Sequence, residues 1–255
     1  MNNKKKWDDH ISLCAENYEL EHPVAPKDAL DFYFQYAKKA NGLILEPMCG
    51  TGRFLIPMME AGFNIEGLDA NQSMLGVLHK KCIAKGLKPN VWEGFLENLN
   101  LNYKYQFVFI PYGSFGIIAD TEKAKICLTK IWEHLEDDGV FVFEVDTLNL
   151  HSSSSVGIWD GSVQKKANGE IIISSSLVLP LNNQVETMIR RYDLVKENCI
   201  VCTEVESFQQ RFYSCNQMYD LLKSVGYSSI EMFEAFDRNK PPNESTPVII
   251  YECRK

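Results

Sequence analysis

Two hydrophobic periods alternate along the first 150 residues. Short apolar runs end in loops, and between them lie stretches with an apolar residue every three or four positions. That alternation predicts buried strands joined by helices. Leu43 to Leu45 is the first such strand, with Glu46 at its carboxyl end. Gly50 and Gly52 then allow a tight turn into a helix over Arg53 to Ala61, closed by Gly62. A second strand, Asn64 to Leu68, ends at Asp69. Asn71 caps a helix to Ala84 with Met74, Leu78 and Cys82 on one face, which leaves His79 beside Lys80 and Lys81 as a solvated histidine. A weak strand over Pro89 to Trp92 follows, then a buried one over Phe107 to Ile110. The helix Thr121 to Leu135 carries Ala124, Cys127, Leu128, Ile131 and Leu135 as its stripe, with His134 as a structural neighbour and Gly139 as its stop after an acidic turn. Val140 to Val145 is the fifth strand. Ahead of all these, Ile11 to Leu20 and Lys27 to Lys39 read as helices, the second turning Leu30, Phe34 and Ala37 inward.

From Gly161 to Phe212 the period changes to strand after strand. Asn168-Gly169, Asn182-Asn183 and Glu197-Asn198 mark the turns of a four-stranded antiparallel meander inserted in an otherwise doubly wound α/β domain. Its last strand puts Val201, Val205, Ser207, Gln209 and Arg211 on one face. His151 and Ser152 to Ser155, just before it, read as a mobile loop. Ser214 with Gln217 then forms a capping box for a helix through Met218, Leu221, Leu222 and Val225, closed by Gly226, and strands at Ser229 to Phe236 and Pro247 to Cys253 complete the sheet.

The chemistry gathers at Glu46-Pro47-Met48-Cys49-Gly50-Thr51-Gly52. A dinucleotide fingerprint needs a third glycine, and Leu55 stands in its place. An acid at the strand end suits a ligand bearing an ammonium group better than a pyrophosphate, which it would repel. S-adenosylmethionine carries such a group. The 255 residues are 45% hydrophobic, enough for a full core, and a formal charge of −8 with a pI near 5.2 offers no footprint for a polyanion, so no nucleic-acid partner is expected. Lys4 to Lys6 precede Trp7, Asp8, Asp9 and His10 instead of an apolar stretch and read as a solvated tail, not a signal peptide. Phe107 to Ala119 is too short and too broken to span a bilayer. A soluble, cytoplasmic protein with no membrane partner is the expectation. Cys199 and Cys202 have C-x-x-C spacing but lie three apart in an alternating run, where they would point to opposite faces, so no metal site is expected.

The Glu46 to Gly52 segment resembles motif I of the class I S-adenosylmethionine-dependent methyltransferases, with Met48 standing where that pattern has its first glycine. The resemblance implies a Rossmann-like sheet of seven strands with the last antiparallel, plus the inserted antiparallel β cap. Residues 41–150 and 213–255 would form the methyltransferase domain, 151–212 the cap, and 1–40 a helical segment folded over the cofactor. Cofactor contacts then fall to Glu46, Met48, Gly50, Gly52, Asp69 on the ribose with Ala70 beside it, Phe95 and Leu96 at the base, Pro111, and Tyr18 near the methionine; Tyr18 packing only the first helix is the alternative. Amino-group methyltransferases resemble one another in D/N-P-P-Y/F after the fourth strand, whereas this chain has Ile110-Pro111-Tyr112-Gly113. Tyr112 remains an aromatic wall and Ser114 a polar contact, with plain loop packing as the alternative. The cap resembles that of glycine and aminosugar N-methyltransferases, which implies methylation of a small-molecule acceptor, nitrogen favoured over oxygen. Glu144, Asp146 and His151 are candidates for an assisting base and Arg211 for a contact to an anionic group of the acceptor; each has a structural alternative. A non-catalytic binding protein and a nicotinamide oxidoreductase are the rival classes, and the oligomeric state stays open.

Overall fold

The computed structural model describes residues 12–255. The readings of Lys4 to Lys6, of the residues through His10 and of Ile11 lie outside them. Seven strands form one sheet: β1 (Ile44–Pro47), β2 (Ile65–Asp69), β3 (Asn90–Glu93), β4 (Tyr105–Ile110), β5 (Leu135–Asp146), β10 (Ser229–Phe233) and β11 (Val248–Arg254). Their order is β10-β11-β5-β4-β1-β2-β3, with β11 antiparallel to both neighbours. The order reverses at β1, so the carboxyl ends of β1, β2 and β4 open on one crevice. Helices cover both faces. α2 (Lys27–Ala37), α3 (Leu55–Glu60) and α4 (Gln72–Ala84) close one apolar cluster around Phe107 and Phe109, and α5 (Thr121–His134) with α6 (Cys215–Val225) close the other around Phe141 and Phe143.

Several local expectations shift. The inward face of α2 is Ala29, Phe32, Tyr33, Tyr36 and Ala37, with Leu30 and Phe34 at its margin, because that face carries three aromatic rings and the row beside it one. α4 buries Leu75, Val77, Leu78 and Cys82; Met74 is half-buried. His79 is half-buried as well, and loss of water pulls its pKa down, so it is no solvated surface histidine. α5 ends at His134, within one residue of the expected Leu135, but no acidic turn separates it from the next strand. The chain enters β5 directly, and residues 136–139 are the extra length of an irregular register between Tyr105↔Leu135 and Phe107↔Val140. His134 is structural, as expected: its Nε2 accepts from the Leu101 amide (2.8 Å) and its Nδ1 meets the Lys130 carbonyl (2.7 Å).

The inserted segment is a separate antiparallel sheet, β6 (Trp159–Lys165), β7 (Ile171–Val178), β8 (Val185–Lys196) and β9 (Cys199–Arg211), in that order. Glu197 and Asn198 both take positive φ in the β8–β9 turn. Val205, Ser207 and Gln209 do share a face, but it is the solvent face; Cys202, Glu204, Glu206 and Gln210 turn inward. A bulge sets Val195↔Ile200 beside Leu194↔Cys202, and its extra residue, Val201, breaks the alternation on which the opposite-face reading of Cys199 and Cys202 rested. Both thiols are free, and no cluster of three or more His, Cys, Asp or Glu that could hold a metal occurs among the described residues. No helix among them is long and apolar enough to cross a membrane.

α1 (Leu13–Glu21), capped by Ser12, bridges the two sheets. Leu13 packs on Ile172 and Tyr192 of the cap, Glu204 accepts from its amide (2.8 Å), and Glu19 pairs with Lys81 of α4 (2.9 Å). The capping box of α6 is complete: Ser214 Oγ accepts from the Gln217 amide (3.2 Å) and Gln217 Oε1 from the Ser214 amide (2.8 Å). Ser214→Ala should cost about 1 kcal/mol by orphaning a first-turn N–H, read as a lower urea midpoint with an unchanged m-value.

Candidate functional site

β1 carries Glu46 into the crevice as a buried carboxylate, 2% exposed, whose Oε2 has no hydrogen-bond partner. Burial raises its pKa well above the ordinary range, while the charge of Arg53 pulls it back. The loop beyond turns through three left-handed residues, Met48 (φ 60°), Gly50 (φ 54°) and Gly52 (φ 77°). Met48 therefore keeps the conformation of the glycine it replaces and bears the strain of doing so. At Gly52 space is also short: a Cβ would lie 2.9 Å from Leu78. Asp69 clamps the loop from β2, Oδ2 accepting from Gly50 N (2.8 Å) and Oδ1 from Asn71 N (2.7 Å). Burial raises the Asp69 pKa against the pull of these two amides. Ala70 is exposed beside it. The β3 end is joined there through the Gly94 amide to the Asp69 carbonyl (3.0 Å), so exposed Phe95 offers a ring at the rim while Leu96 drops into the core. Leu55, fully buried, fits against Gly67 of β2, where a Cβ would come within 2.6 Å of it. The close-approach glycine is on the strand and not on the helix, opposite to the dinucleotide arrangement.

β4 delivers buried Pro111 and then Tyr112 (φ 61°) and Gly113 (φ 64°). Gly113 is obligatory, since a Cβ would sit 2.4 Å from Asp146 Oδ2. Ser114 turns back onto the Pro111 carbonyl (3.0 Å), which is loop packing. Tyr112 lies half-exposed with the Arg53 guanidinium 3.9 Å from its ring centre. Tyr18 of α1 faces the same guanidinium at 5.6 Å and Phe54 at 5.5 Å, and His22 lies edge-on to Tyr112 at 5.9 Å. Arg53 is 6% exposed and makes no ion pair within 4.0 Å among the described residues. The sequence reading missed it, although a cation opening an otherwise apolar helix, against the helix dipole, was a signal in plain view.

The base candidates part company. Glu144 is buried and engaged: Tyr33 Oη donates to it (2.8 Å) and the Tyr112 amide also points at it, so its role is to hold the loop. His151 is paired through Nδ1 with Glu186 of the cap (2.6 Å). Arg211 donates to the carbonyls of Ala119 (2.5 Å) and Asn183 (3.0 Å) and so fastens the foot of the cap, instead of presenting a fork to an anion as expected. Asp146, 7% exposed, is different. Its one side-chain partner is the Gln210 amide, and burial pushes its pKa up from 3.8 to about 6. The folded protein thus holds this proton more tightly than the unfolded chain does, and ionising Asp146 costs stability as pH rises from about 4 to about 6. Asp146→Asn should therefore gain about 2 kcal/mol on the wild type between about pH 4.5 and 7.5, compared by urea unfolding at the two pH values.

Residues 44–139 match the family model of a methyltransferase domain. A protein of Geobacillus sp. (strain WCH70), provisionally named a methyltransferase, is 24% identical over 241 residues, 91% of this chain and 94% of that one. Among solved structures, an S-adenosylmethionine-dependent methyltransferase from Clostridium acetobutylicum ATCC 824 superposes with a TM-score of 0.77 at 21% identity over 94% of this chain and 97% of that one. The sugar N-methyltransferase KedS8 from Streptoalloteichus sp. ATCC 53650 does so at 0.74 and 14% identity over 100% and 98%. With the acid-ended β1, the clamped loop and the reversed strand order, these likenesses identify residues 44–139 as a methyltransferase domain within the fold of the S-adenosylmethionine-dependent methyltransferases.

Proposed function

We propose that the protein methylates an amine nitrogen of a small-molecule acceptor with S-adenosylmethionine as donor. The donor supplies a sulfonium methyl whose leaving group is a neutral thioether. The residues at the strand ends match its groups by chemistry: buried Arg53, without an ion pair among the described residues, for the carboxylate; the unpartnered oxygen of Glu46 for the ammonium; Asp69 for ribose hydroxyls; Met48, Gly50, Gly52, Pro111 and Leu96 for close backbone or apolar contact; and exposed Phe95 with Ala70 beside the base. The nicotinamide alternative would place a pyrophosphate against Glu46.

The observation that carries the choice of nitrogen is Asp146, a buried carboxylate titrating near 6 beside the Tyr112-Gly113 turn. Above that pH it is an anion in a water-poor site that accepts a hydrogen bond from the amine N–H. It stabilises the positive charge developing on nitrogen as the N–C bond forms and the C–S bond to the neutral thioether breaks; the proton leaves to solvent afterwards. A neutral amine attacks through a free lone pair with no proton removed first, whereas an alcohol must give up a tightly held proton to become a comparable nucleophile, and a carboxylate titrating near 6 is too weak a base for that. Tyr112 walls the approach, and Gln210 of the cap orients the carboxylate.

The decisive experiment incubates the protein with S-adenosylmethionine and paired amines and isosteric alcohols, with S-adenosylhomocysteine detected. Turnover on amines, rising through about pH 6 and lowered about 10²- to 10⁴-fold in Asp146→Asn with cofactor affinity kept, is expected. Turnover on the alcohols alone would reverse the reading.

Two changes of opposite sign test the cofactor residues. Arg53→Met should weaken S-adenosylhomocysteine binding by about ten- to a hundredfold in calorimetry, while the ligand-free protein gains stability because a desolvated cation without an ion pair among the described residues is gone. Asp69→Ala should weaken binding by a similar factor and lower stability too, since Gly50 and Asn71 lose their acceptor.

A further inference from the structure

Asp146 ends β5 and His151 lies in the loop that follows, and one facing pair of cap residues serves both. Glu186 and Gln210 are direct partners across β8 and β9. Gln210 donates its amide to Asp146, and Glu186 Oε2 accepts from His151 Nδ1 (2.6 Å). The acceptor in the second pair is a carboxylate, so Nδ1 carries the proton. The loop that brings His151 there is itself fixed, with Thr147 Oγ1 donating to the Thr246 carbonyl (2.7 Å) and Asn149 Nδ2 to that of Glu244 (2.7 Å).

Facing residues on antiparallel strands have Cβ atoms about 4.5–5.5 Å apart. The next pair along, Thr187 and Gln209, does meet: Gln209 Nε2 donates to Thr187 Oγ1 (3.4 Å). The Gln210 amide is thus within reach of Glu186 as well as of Asp146. A carboxylate without a partner of its own is a strong claimant on a neighbouring N–H. Glu186 instead spends its bond on the imidazole, and the two side chains are only 12% and 10% exposed. Nothing else among the described residues around Asp146 replaces the amide. Glu144 on the same strand is a like charge, Gly113 brings no side chain, Val248 faces it from β11, and the Tyr213 amide goes to the Asp146 backbone carbonyl (3.1 Å).

We propose that Glu186 and His151 are positioning residues for Asp146: the imidazole occupies Glu186, and the Gln210 amide is thereby reserved for the carboxylate that faces the acceptor. This rests on the methyl-transfer reading for what Asp146 does, not for how its partner is held. With the imidazole gone, Glu186 draws the amide toward itself and sets a second negative charge beside Asp146. Both effects disfavour the Asp146 anion. Removing Glu186 as well abolishes both, so the second substitution undoes the first, which it would not do for a mere loss of packing.

The test is the titration of the Asp146 carboxyl, followed by carbon-13 NMR in the full chain with neither donor nor acceptor added. The wild type should titrate at about 6. His151→Phe, which keeps a ring against Phe212 (6.0 Å), should move the titration up by about one pH unit. Glu186→Leu combined with His151→Phe should bring it back to within about 0.3 unit of the wild type. His151→Ala, with no ring to fit, decides the matter if the phenylalanine variant does not fold. A titration unmoved in the histidine variants, or one that stays raised in the double variant, would overturn the positioning role. A wild type that titrates as expected and turns over no amine would instead strike the methyl-transfer reading and leave the positioning role standing.

Discussion

Burial of the Arg53 guanidinium is the constraint on which the site depends. A cation taken out of water without an ion pair is costly, and among the described residues aromatic faces and the fields of Glu46 and Glu144 offset the cost. Those faces come from three different parts of the chain: Tyr18 from α1, Phe54 from the start of α3, and Tyr112 from the loop after β4. None of them can move without exposing or stranding the charge. The first helix, the glycine loop and the β4 loop are therefore positioned by one side chain as much as by their own packing. The arrangement is poor for stability and well suited to a zwitterion, whose carboxylate and ammonium would find Arg53 and Glu46 already desolvated.

The carboxylates of the crevice show how one edge of a sheet assigns different tasks to like groups. Burial raises all four, Glu46, Asp69, Glu144 and Asp146, and hydrogen bonding then separates them. Asp69 receives two backbone amides and Glu144 a phenol and an amide, so both are clamps. Asp146 receives a single side-chain amide, which comes from the cap. Its surroundings thus depend on the inserted sheet, which couples whatever the cap binds to the state of this carboxylate.

What was legible in the sequence follows from the range of the interactions concerned. Strand, loop, helix and acid in series, the Asn71 cap, the Ser214 box and the turns of the cap are local, and their residues state them. The end of α5 was legible to within a residue, but the acidic stretch up to Gly139 was taken for a turn, whereas pairing of Leu135 with Tyr105, thirty residues earlier in the chain, draws the backbone into β5 at once. The alternation in β9 was sound until a bulge shifted it. Arg211 was left open between an acceptor contact and a surface pair with a neighbouring acid, because nothing in its neighbourhood of sequence shows that Ala119 and Asn183 will present carbonyls to it. Gln210 on Asp146, and Tyr18 and Tyr112 on Arg53, likewise come from far along the chain. Their tasks emerge only when the cap and α1 are in place.

Strain in the β4 loop completes this dependence. Tyr112 is a bulky residue held at positive φ, a conformation of order 1–3 kcal/mol above its alternatives that persists only where the surroundings fix it. Gly113 behind it admits no side chain because Asp146 fills the space, and the Tyr112 amide is bound by Glu144, itself bound by Tyr33. Tyr33 sits fully buried in α2 among Phe32, Phe54 and Phe109. The chain of contacts runs from the aromatic core under α2, through one phenol and one carboxylate, to the turn that stacks on Arg53. A phenol hydroxyl on α2, one carboxylate removed from the loop, therefore sets the pose of Tyr112, and the aromatic face of α2 is selected by the site as well as by the core.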